Sequence, residues 1–130
     1  MRTTALPPGE KTLDILVVDD DRELATLLER FLTKQGYTVT LAEDGLQALL
    51  ALEEKKFGLV ITDLMMPHID GITFTEKLKG NPETAHIPVI LITAWPSEDI
   101  SDKGMRKGVA LTLGKPIDFD RLLTLVKFAE

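Results

Sequence analysis

The stretch Leu59-Val60-Ile61-Thr62-Asp63-Leu64-Met65-Met66-Pro67 decides how this chain reads. Four apolar or β-branched residues run straight into an aspartate, and the proline that follows keeps a helix from starting at once. This is the pattern of a buried strand that delivers a carboxylate to its own carboxyl-terminal edge. Asp63 is therefore the first candidate for chemistry.

Working upstream, residues 13–18 read as another buried strand, ending in Asp19, Asp20 and Asp21. A helix follows over 22–35, with Leu24, Leu27, Leu28, Phe31 and Leu32 on one stripe and Gly36 as its C-cap. Tyr37, Val39 and Leu41 alternate with Thr38 and Thr40 as a less buried strand. Asp44 stands where an N-cap belongs and Gln47 completes a capping box, opening a helix to Lys55 that carries Leu46, Leu49, Leu50 and Leu52. Residues 1–11, with Pro7, Pro8 and Gly9 and no periodicity, read as a flexible N-terminal tail ahead of one domain over 12–130.

Downstream, a loop over 66–71 leads to a helix over 72–79, which Gly80-Asn81-Pro82 stops. Residues 88–93 form a strand with Pro88 at its first position, where a missing donor does least harm. Ser97 caps a helix over 98–107 that has Gly104 inside it and only Ile100 and Met105 as apolar anchors, a recipe for low local stability. Residues 109–113 make a short fifth strand. Lys115-Pro116 turns the chain, and Asp118 caps a last helix expected to turn Leu122, Leu123, Leu125, Val126 and Phe128 inward.

Five β–α units imply an α/β fold: a parallel sheet with helices on both faces. The 130 residues suffice for one domain with a proper core, at 44% apolar and 28% charged residues. No apolar run approaches the roughly 18 residues of a membrane span, and the first eleven residues offer no signal-peptide core. The absence of cysteine excludes disulfides, thiolate nucleophiles and sulfur-bound metals. A net charge of −6 argues against direct nucleic acid binding. A cytoplasmic location is the default expectation.

In such folds the functional crevice lies beyond the carboxyl ends of the strands. Reading those ends collects Asp19 and Asp20, then Asp63, Thr93 and Lys115. Three converging carboxylates need a cation or raised pKa values to coexist. A hard, oxygen-seeking ion such as Mg²⁺ fits, and the lack of His or Cys at these ends makes zinc a poor choice. Mg²⁺, the Lys115 ammonium and the Thr93 hydroxyl could hold the three oxygens of a phosphoryl group, with Asp63 as the nucleophile.

Asp19-Asp20, Asp63-Leu64-Met65-Met66-Pro67 with Asp70-Gly71, Leu91-Ile92-Thr93-Ala94 and Lys115-Pro116 together resemble the receiver domain of two-component response regulators. The resemblance covers residues 13–130 in order. It implies a flavodoxin-like (βα)5 fold with strand order 2-1-3-4-5. It implies that Asp63 accepts phosphate from the phosphohistidine of a histidine kinase or phosphotransfer protein. Asp20, Asp63 and the Met65 backbone carbonyl would bind Mg²⁺, with Asp19 helping through water. Lys115 would contact the phosphoryl group, and Thr93 would move toward it. Pro116 would set the loop that turns Lys115 inward, with a cis bond as one way to do so. The output would be a contact with a protein partner or fused domain through the face of the fourth helix, fifth strand and fifth helix. The only catalysis expected is self-catalysed phosphorylation and dephosphorylation.

Two positions depart from the pattern. Receivers usually carry Tyr or Phe three residues before the lysine, and here that residue is Thr112, which cannot make the usual aromatic rotamer switch. Trp95, the only tryptophan, lies two residues past Thr93. In this family that place and the one two past the phosphoacceptor, here Met65, flank the path of the hydrolytic water, so the resemblance implies that two large side chains unable to orient a water slow the loss of phosphate. His68 and His86 fall in loops and are expected to be uninvolved. Rival readings are a phosphorylation-independent docking domain, which Thr112 keeps open, and an aspartate-nucleophile phosphatase, which would use the Asp19-x-Asp21 spacing.

Overall fold

A computed structural model describes residues 13–130. The expected tail over 1–11 lies outside the described residues. The order is β1 (Asp14–Val18), α1 (Arg22–Lys34), β2 (Thr38–Ala42), α2 (Gly45–Glu54), β3 (Leu59–Asp63), α3 (Gly71–Lys79), β4 (Val89–Thr93), α4 (Glu98–Lys107), β5 (Leu111–Gly114) and α5 (Phe119–Ala129). The five strands form one parallel sheet in the order β2-β1-β3-β4-β5. The expected fold and strand order are what the structure has.

Strand alternation divides the core into two layers. Leu16, Val18, Val60, Val89 and Leu91 face α2 and α3, with Phe74 and Leu78 as their partners. Ile15, Val17, Leu59, Ile61, Ile90, Ile92 and Leu113 face α1 and α5, meeting Leu28, Leu32, Leu122 and Val126. β1, β3 and β4 are buried almost throughout, so apolar runs rather than alternation are what parallel central strands require.

Helix caps place the loops. Asp21 accepts from the N–H groups of Glu23 and Leu24, Asp44 from Gln47, Asp70 from Thr73, Ser97 from Ile100 and Asp118 from Arg121. At α2 the return bond differs from a capping box, because Gln47 Oε1 accepts from Glu43 N at 2.8 Å and not from Asp44. Helix α1 ends one residue earlier than the sequence suggests, with Gly36 at φ 98° just past the Gln35 cap.

Three expectations are corrected. Val109 does not start β5; its N–H bonds Gly104 O at 2.8 Å beyond the left-handed Gly108, closing α4, and the strand begins at Leu111. Met105 does not anchor α4, being 63% exposed, and Phe128 does not pack inward, being 84% exposed. Both lie off the buried stripe of their helices: α4 buries only Gly104, with Ile100 partly covered, and α5 buries Leu122 and Val126. Gly104 is also not simply a weak point. A Cβ there would stand 3.3 Å from the Val109 side chain, so the glycine lets α4 lie close to its own cap.

At the opposite, amino-terminal end of the sheet, Lys79 Nζ donates to the carbonyls of Ala85 and Ile87, at 3.0 and 2.5 Å, tying down the segment that enters β4. Tyr37 donates its hydroxyl to Glu130, pinning the end of α5 beside β2. Among the described residues no helix is long and apolar enough to cross a membrane.

Candidate phosphoryl and metal site

The carboxyl ends of β1, β3, β4 and β5 bring the predicted residues together. Asp19 follows β1 and is fixed by two backbone bonds: its N–H donates to Ala42 O at 3.0 Å, and its Oδ1 accepts from Asp21 N at 2.9 Å. Asp63 ends β3, and the next N–H, of Leu64, donates to Ile92 O on β4 at 2.9 Å. Lys115 N donates to Thr93 O at 2.8 Å, which hangs the β5–α5 loop on the same strand. β4 thus carries both the acceptor side and the lysine side of the site. The Lys115-Pro116 bond is cis.

One carboxylate oxygen each from Asp19, Asp20 and Asp63 lies within 4.8 Å of the others. Asp19 and Asp63 are buried and Asp20 is exposed. Lys115 Nζ sits 3.2 Å from Asp63 Oδ1 and 3.9 Å from Asp19 Oδ2. Met65, 67% exposed, follows in the β3–α3 loop, which Ile69 and the N-terminus of α3 close. Gly71 N–H donates to Leu64 O at 2.8 Å, and a Cβ on Gly71 would stand 2.2 Å from the Asp63 carbonyl oxygen. Asp70-Gly71 is visible in the sequence as part of a motif, but the close approach that requires glycine there is not.

Burial pushes the Asp19 carboxyl up from 3.8 to about 6, the Asp63 charge adding to this while the Asp21 N–H and Lys115 oppose it. Burial likewise raises Asp63, against the pull of Lys115. Asp19 Oδ2 is buried without a hydrogen-bond partner. A buried acceptor left over beside two more carboxylates and one ammonium is what a hard cation would complete, and an all-oxygen donor set suits Mg²⁺.

Thr93 is buried with its Oγ1 accepting from Trp95 N at 3.1 Å. The Trp95 side chain is 76% exposed at the rim, not packed away on α4. Thr112 lies on β5, its Oγ1 buried and without a partner. Asp21 is spent as the α1 cap, and the two histidines are exposed.

The family model for the response regulator receiver domain matches residues 15–127. The chain belongs to this family. As a receiver domain it is 45% identical over 119 residues to the transcriptional regulatory protein ZraR of Klebsiella oxytoca, a match covering 90% of this chain and 26% of that protein. It is 42% identical over 118 residues to the response regulator PleD of Caulobacter vibrioides, covering 88% of this chain and 26% of the relative. The receiver domain therefore spans about a quarter of the length of these relatives. Among solved structures it is similar to a response regulator from Chloroflexus aurantiacus, at a TM-score of 0.87 and 31% identity, covering 92% and 98% of the two chains. It is also similar, at a TM-score of 0.82 and 26% identity over 91% and 97% of the chains, to the receiver domain of the sensor histidine kinase PA1611 from Pseudomonas aeruginosa, which has a magnesium ion coordinated in its active-site cleft. Receiver domains are the signalling modules of two-component systems.

Proposed function

We propose that residues 12–130 form one phosphoacceptor domain in which Asp63 takes a phosphoryl group from the phosphohistidine of a histidine kinase or phosphotransfer protein. The observation that carries this is the meeting of three carboxylates within 4.8 Å with Lys115 Nζ 3.2 Å from Asp63 Oδ1. An oxygen of Asp63 attacks phosphorus, the P–N bond breaks, and its electron pair stays on the departing imidazole nitrogen. Lys115 neutralises charge on the phosphoryl oxygens, and the Thr93 hydroxyl donates to one of them. Asp19, Asp20, Asp63 and the Met65 carbonyl would hold Mg²⁺, which supplies charge neutralisation to the oxygens in transfer. Hydrolysis reverses the modification: water attacks phosphorus and restores the Asp63 carboxylate with release of inorganic phosphate.

Of the two bulky rim residues, Met65 is the one proposed to shield the acyl phosphate from water. The domain has no outside substrate and signals from the cytoplasm through the face of α4, β5 and α5 to a protein partner or fused domain, without touching nucleic acid itself. The phosphatase reading loses its general acid, because Asp21 is spent as a helix cap. The test is incubation with Mg²⁺ and acetyl phosphate. A mass gain of one phosphoryl group, lost in Asp63→Asn and without Mg²⁺, supports the reading. No gain in the wild-type chain, with acetyl phosphate or a phosphorylated histidine donor, overturns it.

A further inference from the structure

Two hydroxyls on one sheet face are in opposite states. Ile92 and Leu113 belong to the layer facing α1 and α5, and Leu91 to the other, so alternation puts Thr93, Thr112 and Gly114 on the α4 side. On that side Thr93 Oγ1 is engaged by the Trp95 N–H at 3.1 Å, whereas Thr112 Oγ1 is buried with no partner. Trp95 is thus fastened by its backbone to the residue beside Asp63 while its indole is left 76% in solvent. Its neighbour Pro96 already lies over β5, where a Cβ on Gly114 would come 2.9 Å from Pro96 Cγ. Thr112 sits two residues before Gly114, about 7 Å along the strand on the same face, a span that an indole covers.

We propose that Trp95 is a two-position latch set by the Thr93 hydroxyl, its second seat being one that a shift of α4 away from β5 opens above the covered Thr112 hydroxyl. The inference rests on the reading of Asp63 as phosphoacceptor. At rest, Thr93 Oγ1 holds the Trp95 N–H and the indole stays outside. When the Thr93 hydroxyl turns to donate to a phosphoryl oxygen, that N–H loses its acceptor and loop 94–96 shifts. The indole then closes over Thr112 and its Nε1–H donates to Thr112 Oγ1. The Thr93 backbone has no need to move, since its carbonyl keeps the Lys115 N–H. Two physical gains favour the seat: an apolar ring leaves water, and an orphaned hydroxyl is satisfied. Helix α4, which buries only Gly104 against the rest of the domain, gains a packing partner.

Trp95 is the sole tryptophan, so its fluorescence reports the latch directly. Acrylamide quenching of the full chain with Mg²⁺ and beryllofluoride is expected to fall about threefold with a blue shift, as for an indole passing from mostly exposed to mostly buried. ¹⁹F NMR of the same samples reads occupancy of Asp63 independently. Bound fluoride signals, absent in Asp63→Asn, with unchanged quenching overturn the latch and leave the phosphoacceptor reading standing. No bound fluoride overturns the phosphoacceptor reading and the latch with it, and the resting hold of Thr93 on Trp95 is read separately by Thr93→Val. That variant replaces the hydroxyl with a methyl of similar size, so it removes the acceptor for Trp95 N–H together with the donor to the phosphoryl oxygen, and it is expected to show reduced quenching without any addition. Quenching in Thr93→Val equal to wild type overturns the latch. Thr112→Val keeps the shape of the seat and removes its acceptor, and is expected to lose part of the protection; full protection there overturns the Nε1–H bond.

Discussion

Gly71 lies so close under Asp63 that a single methyl group at Gly71 would stand 2.2 Å from the Asp63 carbonyl oxygen and 2.8 Å from Leu91 Cδ1. The N-terminus of α3 is thereby pressed onto the end of β3, with Gly71 N–H bonded to Leu64 O. A backbone carbonyl cannot swing aside as a side chain can. Gly71→Ala is therefore expected to lower the unfolding free energy by about 3 kcal/mol, as overpacked sites do. It should also weaken Mg²⁺ binding by displacing the loop that carries Met65. Urea unfolding and a Mg²⁺ titration check both, and a change below about 1 kcal/mol would show that α3 can back away from the strand.

The acidic pair makes the metal-free domain sensitive to pH in an unusual direction. The Asp19 carboxyl, at about 6 folded against 3.8 ordinarily, binds its proton more tightly when folded. Stability therefore falls as pH rises through that window, and the unfolding free energy without Mg²⁺ should be higher at pH 5 than at pH 7 by about 1 kcal/mol from this group, Asp63 adding in the same direction. Mg²⁺ held as proposed by the ionised carboxylates should stabilise the fold more as pH rises over the same range. Urea midpoints at the two pH values, with chelator and with Mg²⁺, read both slopes. Asp19→Asn should flatten the metal-free one.

Met65 and Trp95 border the site differently, and phosphoryl lifetime separates them. Met65 follows Asp63 on the loop that would give its carbonyl to the metal, and its thioether cannot orient a water. Met65→Asn is expected to shorten the lifetime of the aspartyl phosphate about tenfold by supplying an amide that can. Trp95→Ala should change it little, since the latch proposed above takes the indole off the rim when Asp63 is phosphorylated. Decay of ³²P-labelled protein measures both, and equal lifetimes in wild type and Met65→Asn would remove Met65 from the account.

Helix α4 should be the most readily opened of the five. It buries Gly104 alone and leans on Ile100, whereas α3 buries five residues and α1 three. Amide exchange is expected to be fastest over residues 98–108 among the helices and to slow when Mg²⁺ and beryllofluoride are added. Protection there that stays level would mean that this helix takes no part in signalling.

Much of this was legible from residue order. The apolar run into Asp63, the acid pair after β1, and Thr93 and Lys115 at later strand ends point to the fold and to the candidate site, because central parallel strands need continuous burial and their ends face one crevice. What escaped depends on rotation about a helix axis or on contacts far apart in sequence. Phe128 and Met105 are apolar, yet their helices turn other residues to the sheet. Val109 looks like a strand residue but serves as the cap partner of Gly104, a role that Gly108 just before it could have signalled. The squeeze at Gly71 and the tie from Thr93 to Trp95 needed coordinates.

Four of the five described helices open on an aspartate, Asp21, Asp44, Asp70 and Asp118, and each lies in a loop that leaves the carboxyl end of a strand of the parallel sheet. The caps that start these helices therefore form a fence of like charge along the end of the sheet that also holds the three central carboxylates. A visitor carrying phosphate approaches against that fence, while a divalent cation is drawn in. For the phosphoacceptor proposed above, this charge favours an order of arrival, cation first and phosphoryl donor second, through residues whose local task is only to begin a helix.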